Sequence, residues 1–340
     1  MQVCRGEAID RAQEGRPIAD RRKTHSHAYS GGGICALLVA LIVAICTTRT
    51  ARADPDAQSD PPVCARDSGL AWSHANPWDY SLTGIGAAAL VVELGIFQPI
   101  RPPLHWSGPI LFDTDVRNAL RASGNRTRND LEDVAWVLWG AQLAYPVLVD
   151  VPYAWRRYDY EVARDLFWQD AMTLTLAGAV DGVLRDVVGR ARPEVSDCLA
   201  RGGGIHCLDT NTDTTRSFPG GHIVNSTAAS VLTCTQHSFM ELYGGPWDEI
   251  ACATTLASDA TLAVLRIVSD NHWVTDQIAG MAIGAVLGWG IPYVVHFRAG
   301  ARGAAESGST SAAGPSFAAM VAPMPMVLDH GAGLGVMGLY

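Results

Sequence analysis

The chain has 340 residues, a length that suits one large domain or two modest ones. Hydrophobic residues make up 48% of it and charged residues only 17%, which is an apolar balance for an exported soluble protein. The formal net charge of −9 argues against a nucleic-acid partner, because such partners are bound by a basic face.

The N-terminal residues predict a targeting segment over 1–53. A basic run at 21–23 precedes an uninterrupted apolar stretch from Ile34 to Cys46, and Ala51-Arg52-Ala53 follows as a small-residue cleavage pattern. This order is typical of a secretory signal peptide, and an uncleaved N-terminal anchor is the alternative. In both cases we expect the rest of the chain to be exported, to the membrane or the periplasm.

The composition divides the remaining chain into three parts. Residues 54–78 are rich in Pro, Asp and Ser and are typical of a linker. Residues 79–298 hold long segments rich in Ala and Leu, which favour helices over strands. Residues 299–340 form a low-complexity linker and a tail whose end suits a short hairpin. We therefore predict an all-α helical bundle over 79–298.

The pattern leaves open whether this bundle lies in a membrane. The stretches Val134–Val149 and Met281–Phe297 approach the length of a membrane span and have Trp or Tyr near their ends. Polar and charged residues interrupt most segments, and such groups are costly at mid-bilayer. These residues are Glu93, Gln142, Asp170 and Asp181. A membrane-embedded or membrane-associated bundle is favoured, and a soluble bundle with an apolar core is the alternative.

Five cysteines lie beyond the targeting segment, as suits an exported protein. Cys198 and Cys207 bracket a glycine-rich loop, and we expect them to close it as a disulfide. Cys234 and Cys252 are the second candidate pair, which leaves Cys64 unpaired. No C-x-x-C spacing occurs, so a metal site built from cysteines is not expected.

Two arginines seven residues apart, Arg185 and Arg192, stand just before Pro193. Seven residues are about two helical turns, so we expect both arginines on one face of a helix that Pro193 ends. Two guanidinium groups on one face would hold phosphate oxygens by charge-assisted hydrogen bonds. Paired surface arginines at a helix end are the alternative.

The segment from Pro219 to His222 reads PGGH and enters an apolar stretch. Backbone amides of a glycine turn at a helix N-terminus make an anion site. His222 would lie beside that anion and could donate a proton to it. An ordinary helix entry with a solvated histidine fits the same letters.

A third stretch holds Arg266, His272 and Asp276. The four-residue spacing predicts that His272 and Asp276 share one side of a helix, where Asp276 would accept a hydrogen bond from one ring nitrogen. The other nitrogen would be free to act as a nucleophile, and Arg266 would add a cation for a transferring phosphoryl group. A helix-surface ion pair is the alternative for the spacing alone.

Taken in order, the three stretches read R-x6-RP, PGGH and LR-x5-H-x3-D over residues 185–276. This order resembles the signature of the type 2 phosphatidic acid phosphatase and vanadium-dependent haloperoxidase superfamily, which is K-x6-RP, PSGH and SR-x5-H-x3-D. The resemblance implies that His272 is a nucleophile that forms a phosphohistidine and that Asp276 orients it. It also implies that His222 protonates the leaving alcohol and then activates water. The implied phosphate contacts are Arg185, Arg192, Gly220, Gly221 and Arg266.

The chain departs from this signature at three positions. Arg185 stands where the family has lysine, and Leu265 replaces a serine that is peripheral to the chemistry. Gly220 replaces the serine whose hydroxyl contacts the phosphate in the family. Losing one neutral donor costs on the order of 1–3 kcal/mol of phosphate or transition-state stabilisation. We therefore expect an active but slower enzyme. A rise in turnover in Gly220→Ser would show that the site is catalytic but weakened, and no change would mean that the chain binds phosphate in another way or not at all.

The resemblance implies a phosphatase that uses neither a metal nor another cofactor, and the targeting segment predicts that its active site faces the non-cytoplasmic side. The apolar helices favour a phosphorylated lipid as substrate, such as phosphatidate or an isoprenyl diphosphate. Three alternatives remain: a soluble acid phosphatase acting on small phosphate esters, a weakened or inactive phosphate or lipid-headgroup binder, and a haloperoxidase that would use vanadate. The membrane is an expected partner, nucleic acid is not, and the oligomeric state is left open.

Overall fold

The computed structural model describes residues 72–208 and 211–298 together with two strands near the C-terminus, so the predicted targeting segment and Cys64 lie outside the described residues. The helices of the described part follow in chain order as α1 Pro77–Val92, α2 Asp113–Leu120, α3 Asn125–Tyr145, α4 Val151–Arg157, α5 Tyr160–Val188, α6 Pro193–Ala200, α7 Gly221–Met240, α8 Pro246–Val268 and α9 Val274–Pro292. Single π-helical turns extend α1, α3 and α9 over Glu93–Phe97, Pro146–Asp150 and Tyr293–Phe297. Short 3₁₀ turns occupy Gly204–Leu208 and Thr212–Thr215.

The C-terminal strands form a hairpin. β1, Ala322–Leu328, pairs antiparallel with β2, Gly331–Met337. The prediction of an all-α bundle is confirmed for the region that precedes the tail, and the tail itself adds this two-stranded element.

Local sequence signals set the ends of the longest helix, α5. The Asp159 side chain caps its start by accepting a hydrogen bond from the backbone N–H of Val162 at 2.9 Å. Gly189 ends it in the left-handed conformation, at φ +55°, where a side chain would collide with the carbonyl oxygen of Pro103. The chain then turns, and Pro193 occupies the first turn of α6.

These boundaries correct the interpretation of the two arginines. Arg185 lies in the last turn of α5, whereas Arg192 is the N-cap residue of α6. The expectation that they share one helix ending at Pro193 is wrong, because Gly189 stops the helix first and Pro193 starts the next one. The two arginines belong to different elements that meet at the site.

Helix α7 lies at the centre of the bundle and is buried along nearly its whole length. Its contact with α9 is close because three glycines spaced four apart on α9 face it. A side chain added at Gly280 would lie 3.0 Å from the carbonyl oxygen of Gly220, and one at Gly284 only 2.5 Å from that of Val224. The third, Gly288, meets the backbone of Ala228 in the same way. Small residues at this spacing let two helix backbones approach, which brings the start of α9 beside the start of α7.

Four segments are long and apolar enough to cross a membrane: Pro77–Phe97, Asn125–Arg157, Pro246–Val268 and Val274–Phe297. Large apolar side chains stand exposed along them, including Val137 at 74% and Leu148 at 66% exposure. Glu93 and Gln142, which interrupt two of these segments, are buried by contrast, and so are Asp170 and Asp181 of α5. An apolar exterior with polar groups inside is the pattern of a helical bundle embedded in lipid.

Two disulfides stabilise the bundle and its loops. Cys198 pairs with Cys207 and closes the loop that follows α6, while Cys234 pairs with Cys252 and joins α7 to α8. These are the two pairs that the sequence suggests.

Candidate active site

The candidate site forms where the ends of five elements meet. It receives Arg185 from the end of α5, Arg192 from the start of α6, His222 from the start of α7, Arg266 from the end of α8, and His272 from the segment before α9. The three arginines each lower the pKa of both histidines through their positive charge, so these five residues act within one electrostatic environment. The three stretches of the sequence thus come together in space.

The ring of His272 is held by a backbone carbonyl. Its Nδ1 atom lies 2.8 Å from the carbonyl oxygen of Ser217, which can only accept a hydrogen bond, so Nδ1 carries a proton. In the neutral ring, Nε2 then has a free lone pair, as a nucleophile requires. Burial, together with the charges of Arg266 and Arg192, keeps the pKa of His272 well below its ordinary value of 6.5, so the neutral form dominates at neutral pH.

The predicted direct bond between His272 and Asp276 is wrong. The Nδ1 atom of His272 lies 3.8 Å from Oδ2 of Asp276, which is beyond hydrogen-bond distance. The reason is that α9 begins at Val274, so His272 precedes the helix and the four-residue spacing does not put the pair on one helical face.

Asp276 nevertheless orients the histidine through Ser217. Its Oδ2 atom accepts hydrogen bonds from the Ser217 hydroxyl at 2.6 Å and from the backbone N–H of Trp273 at 2.9 Å. Because the carbonyl of the same Ser217 holds the His272 ring, the carboxylate fixes the histidine from one residue away. Ser217 is a positioning residue that the sequence motifs did not single out.

Arg190 is a second positioning residue that the sequence motifs did not single out, and it is wholly buried. It forms an ion pair with Asp276 through Nη1 and with Asp113 through Nη2, the latter at 2.6 Å. Its guanidinium also stacks on Trp106, 4.1 Å from the ring centroid. Asp113 in turn accepts hydrogen bonds from the N–H and the hydroxyl of Thr275. This network anchors the first turn of α9, and the only sequence signal for it is a third arginine inside the R-x6-RP stretch.

His222 lies between two indole rings of α3. Its ring centroid is 4.3 Å from that of Trp136, edge to face, and 5.2 Å from that of Trp139. The Nε2 atom of His222 is buried and has no hydrogen-bond partner among the described residues. Burial and the neighbouring charge of Arg266 hold its pKa well below the ordinary value. The resting histidine is therefore neutral, with one nitrogen available to a ligand.

Each of the three arginines is oriented by one acidic neighbour. Arg185 pairs with Asp181 at 3.2 Å, Arg266 with Glu132 at 3.4 Å, and Arg192 with Asp213 at 3.8 Å. Arg192 also donates to the carbonyl oxygen of Asp213 and to the side-chain oxygen of Asn271. A guanidinium has five N–H donors, so these contacts leave donors on every arginine for an anion.

The two glycines of PGGH are confined by different neighbours. Gly220 is the N-cap residue of α7, and its N–H donates to the carbonyl oxygen of Asp276 at 3.0 Å. At Gly221 a side chain would lie 2.7 Å from Oδ2 of Asp181 and 3.2 Å from Nε of Arg185, so any larger residue would have to displace that ion pair. The first amides of α7 need acceptors from outside the helix, and they lie beside the arginines.

Comparison with known proteins agrees with this geometry. The family model of the PAP2 superfamily matches residues 167–299, a region that contains every one of the predicted site residues. The match covers less than half of the chain, and it shows that residues 167–299 are similar to the PAP2 superfamily.

One similar solved structure is the first transmembrane PAP2 type phosphatidylglycerolphosphate phosphatase from Bacillus subtilis, at 13% sequence identity. The match covers 63% of this chain and 93% of that one with a TM-score of 0.40, too low to support an argument about either fold or substrate. No curated protein matches the chain.

Proposed function

We propose that this protein is a membrane-embedded phosphatase that hydrolyses a phosphorylated lipid, of the phosphatidate or isoprenyl diphosphate type, through a phosphohistidine on His272. The observation that carries the proposal is the hydrogen bond from Nδ1 of His272 to a backbone carbonyl. It leaves Nε2 unprotonated in a cluster with three arginines, which is the arrangement that attack on a phosphate requires.

In the first step Nε2 of His272 forms a bond to phosphorus while the bond from phosphorus to the leaving oxygen breaks. His222 gives a proton to that oxygen, so phosphatidate releases an alcohol and a diphosphate releases a monophosphate protonated at that oxygen. In the second step His222 takes a proton from water as the water oxygen attacks phosphorus. The P–N bond then breaks, which releases inorganic phosphate and restores His272.

The low pKa of His222 in the free protein fits this role once the substrate is considered. Two of its causes, burial and the charge of Arg266, favour the neutral ring. A phosphate dianion bound among the arginines offsets their charge, and this raises the pKa of His222. His222 therefore becomes protonated, and able to act as the general acid, when the substrate binds.

The apolar exterior of the bundle supports a lipid substrate, since a lipid phosphate reaches a membrane-embedded site by lateral diffusion. The two disulfides support an oxidising, non-cytoplasmic location for the site, because such bonds persist there and are rare in the cytosol.

The test uses the full chain purified in detergent. Phosphate release is measured from phosphatidate, from an isoprenyl diphosphate and from p-nitrophenyl phosphate, and a rapid acid-free quench looks for a phosphorylated histidine. We expect the lipids to be hydrolysed with the higher kcat/KM and His272→Ala to abolish both turnover and the phosphoenzyme. Full turnover by His272→Ala would refute the mechanism, and phosphate binding without turnover in the unaltered protein would favour the headgroup-binder alternative.

A further inference from the structure

The side chain of Gln277 lies against Gly220, the position where the family motif has serine. A Cβ atom built on Gly220 would lie 2.8 Å from Oε1, 2.9 Å from Nε2 and 3.0 Å from Cδ of Gln277. Oε1 and Nε2 lie closer to this position than real Cβ atoms come to a neighbouring atom, so the amide would have to shift to admit a side chain at 220. The Gln277 amide occupies the volume that a serine side chain at 220 would enter.

The backbone fixes this juxtaposition. The N–H of Gly220 donates to the carbonyl oxygen of Asp276, the residue next to Gln277, at 3.0 Å. The Gln277 backbone N–H is also committed, to the carbonyl oxygen of Trp273 in the first turn of α9. The close approach of α7 and α9 described above holds both residues in place.

The amide of Gln277 also lacks hydrogen-bond partners. Gln277 is 2% exposed, and both Oε1 and Nε2 are buried without a partner among the described residues. Burying an unsatisfied amide costs about 1–3 kcal/mol, and native proteins avoid this cost except where a ligand or water completes the bonds. The unpartnered amide lies beside the first turn of α7, where the anion is expected to bind.

We propose that Gln277 supplies the phosphate hydrogen-bond donor that the chain lacks at Gly220. Its Nε2 donates to a phosphoryl oxygen, and Gly220 is required because any larger residue would exclude the amide. This inference rests on the proposed function, since it assigns a further substrate-contacting residue to the same site.

The proposal reverses an expectation from the sequence. If the site merely lacked a hydroxyl, Gly220→Ser would restore it and raise turnover. With the Gln277 amide in that space, the serine Cβ displaces the amide, so Gly220→Ser alone is expected to lower kcat/KM. Glycine at 220 and glutamine at 277 together then take the place of the serine of the family motif, because the glycine leaves the space and the glutamine supplies the hydrogen bond.

The test is a double-mutant cycle on the full chain in detergent, with phosphatidate as substrate and inorganic phosphate as binding probe. Gln277→Met keeps the volume and removes the donor, and we expect it to lower kcat/KM by roughly tenfold to a hundredfold and to weaken phosphate binding. Gly220→Ser is expected to lose about tenfold. Gln277→Ala is the second single variant of the cycle and is expected to lose activity as Gln277→Met does. Gly220→Ser combined with Gln277→Ala is expected to return to within about threefold of the unaltered protein, because the hydroxyl gains both space and the phosphate. Gln142→Ala, which removes a buried glutamine that bonds the backbone of Thr255 elsewhere in the bundle, is the matched control.

Two results would overturn the inference. One is unchanged kcat/KM and unchanged phosphate affinity in Gln277→Met. The other is a double variant no better than the product of Gly220→Ser and Gln277→Ala. Failure of the proposed function looks different: the unaltered protein then releases no phosphate, while the phosphate-binding measurements on the Gln277→Met variant still decide the role of Gln277.

Discussion

Gly221 offers a sharp test of the arginine cluster, because a methyl group added there must displace Arg185, which is a proposed phosphate contact. In Gly221→Ala the new Cβ lies 2.7 Å from Oδ2 of Asp181, about 0.7 Å short of an ordinary contact, and 3.2 Å from Nε of Arg185. The carboxylate and its arginine must shift together by several tenths of an ångström or more. Misplacement of a substrate-binding group by 1 Å can cost about a hundredfold, so we expect kcat/KM to fall roughly tenfold to a hundredfold.

Gly221→Ala separates an effect on activity from an effect on stability. Alanine favours a helix over glycine by up to about 1 kcal/mol, so the substitution does not weaken the helix itself. The matched control is Gly290→Ala in α9, where a new Cβ meets nothing within 4 Å. Steady-state hydrolysis of phosphatidate and inhibition by inorganic phosphate are measured for both variants, with thermal unfolding in detergent as the check on folding. If Gly221→Ala kept kcat/KM within threefold of the control, the placement of Arg185 beside Gly221 in the catalytic site would be wrong.

Two other predictions follow from buried charge. Arg190→Met leaves two buried carboxylates without a cation, which costs about 3–5 kcal/mol. The midpoint of thermal unfolding should therefore drop clearly, while Arg126→Met at an exposed position should leave it unchanged. The pKa of His272 in the folded protein lies below 6.5, so its neutral form persists as the pH falls past that value and is lost only as the pH falls through the folded pKa. The acid limb of kcat/KM for the free enzyme should accordingly lie below pH 6.5, and a limb at or above that pH would contradict a neutral, buried nucleophile.

The sequence predicted which side chains meet better than it predicted how they are held. The spacing of the three motifs brought together Arg192, His222 and His272, since the chemistry of a phosphate site restricts which residue types can fill those positions. Apolar composition predicted the helices and their length, because long Ala- and Leu-rich stretches have few other ways to satisfy their backbone hydrogen bonds. These features are local or nearly so, and they can be seen in one chain.

The supporting contacts were not predictable for a physical reason: they join residues far apart in sequence. Asp113 and Arg190 form an ion pair across 77 positions, and Gln277 reaches Gly220 only because glycines on α9 let it approach α7. Helix boundaries failed for a different reason. Gly189 ends α5 in the left-handed conformation and so separates Arg185 from Arg192, which the seven-residue spacing of the arginines does not show.

The electrostatics of the site explain how one cluster can hold a neutral nucleophile and still provide a proton. The three arginines repel one another, and each forms an ion pair with one carboxylate at 3.2–3.8 Å. These ion pairs offset part of the positive charge of the cluster. That remaining charge, added to burial, keeps His272 neutral and nucleophilic. In the proposed mechanism a bound phosphate dianion cancels this positive charge and so raises the pKa of the histidines. The rise serves catalysis at His222, whose unpartnered nitrogen can take up a proton. In the proposed mechanism Nδ1 of His272 stays bonded to the carbonyl oxygen of Ser217 while its Nε2 attacks phosphorus, so substrate binding assigns the acid and the nucleophile to different rings.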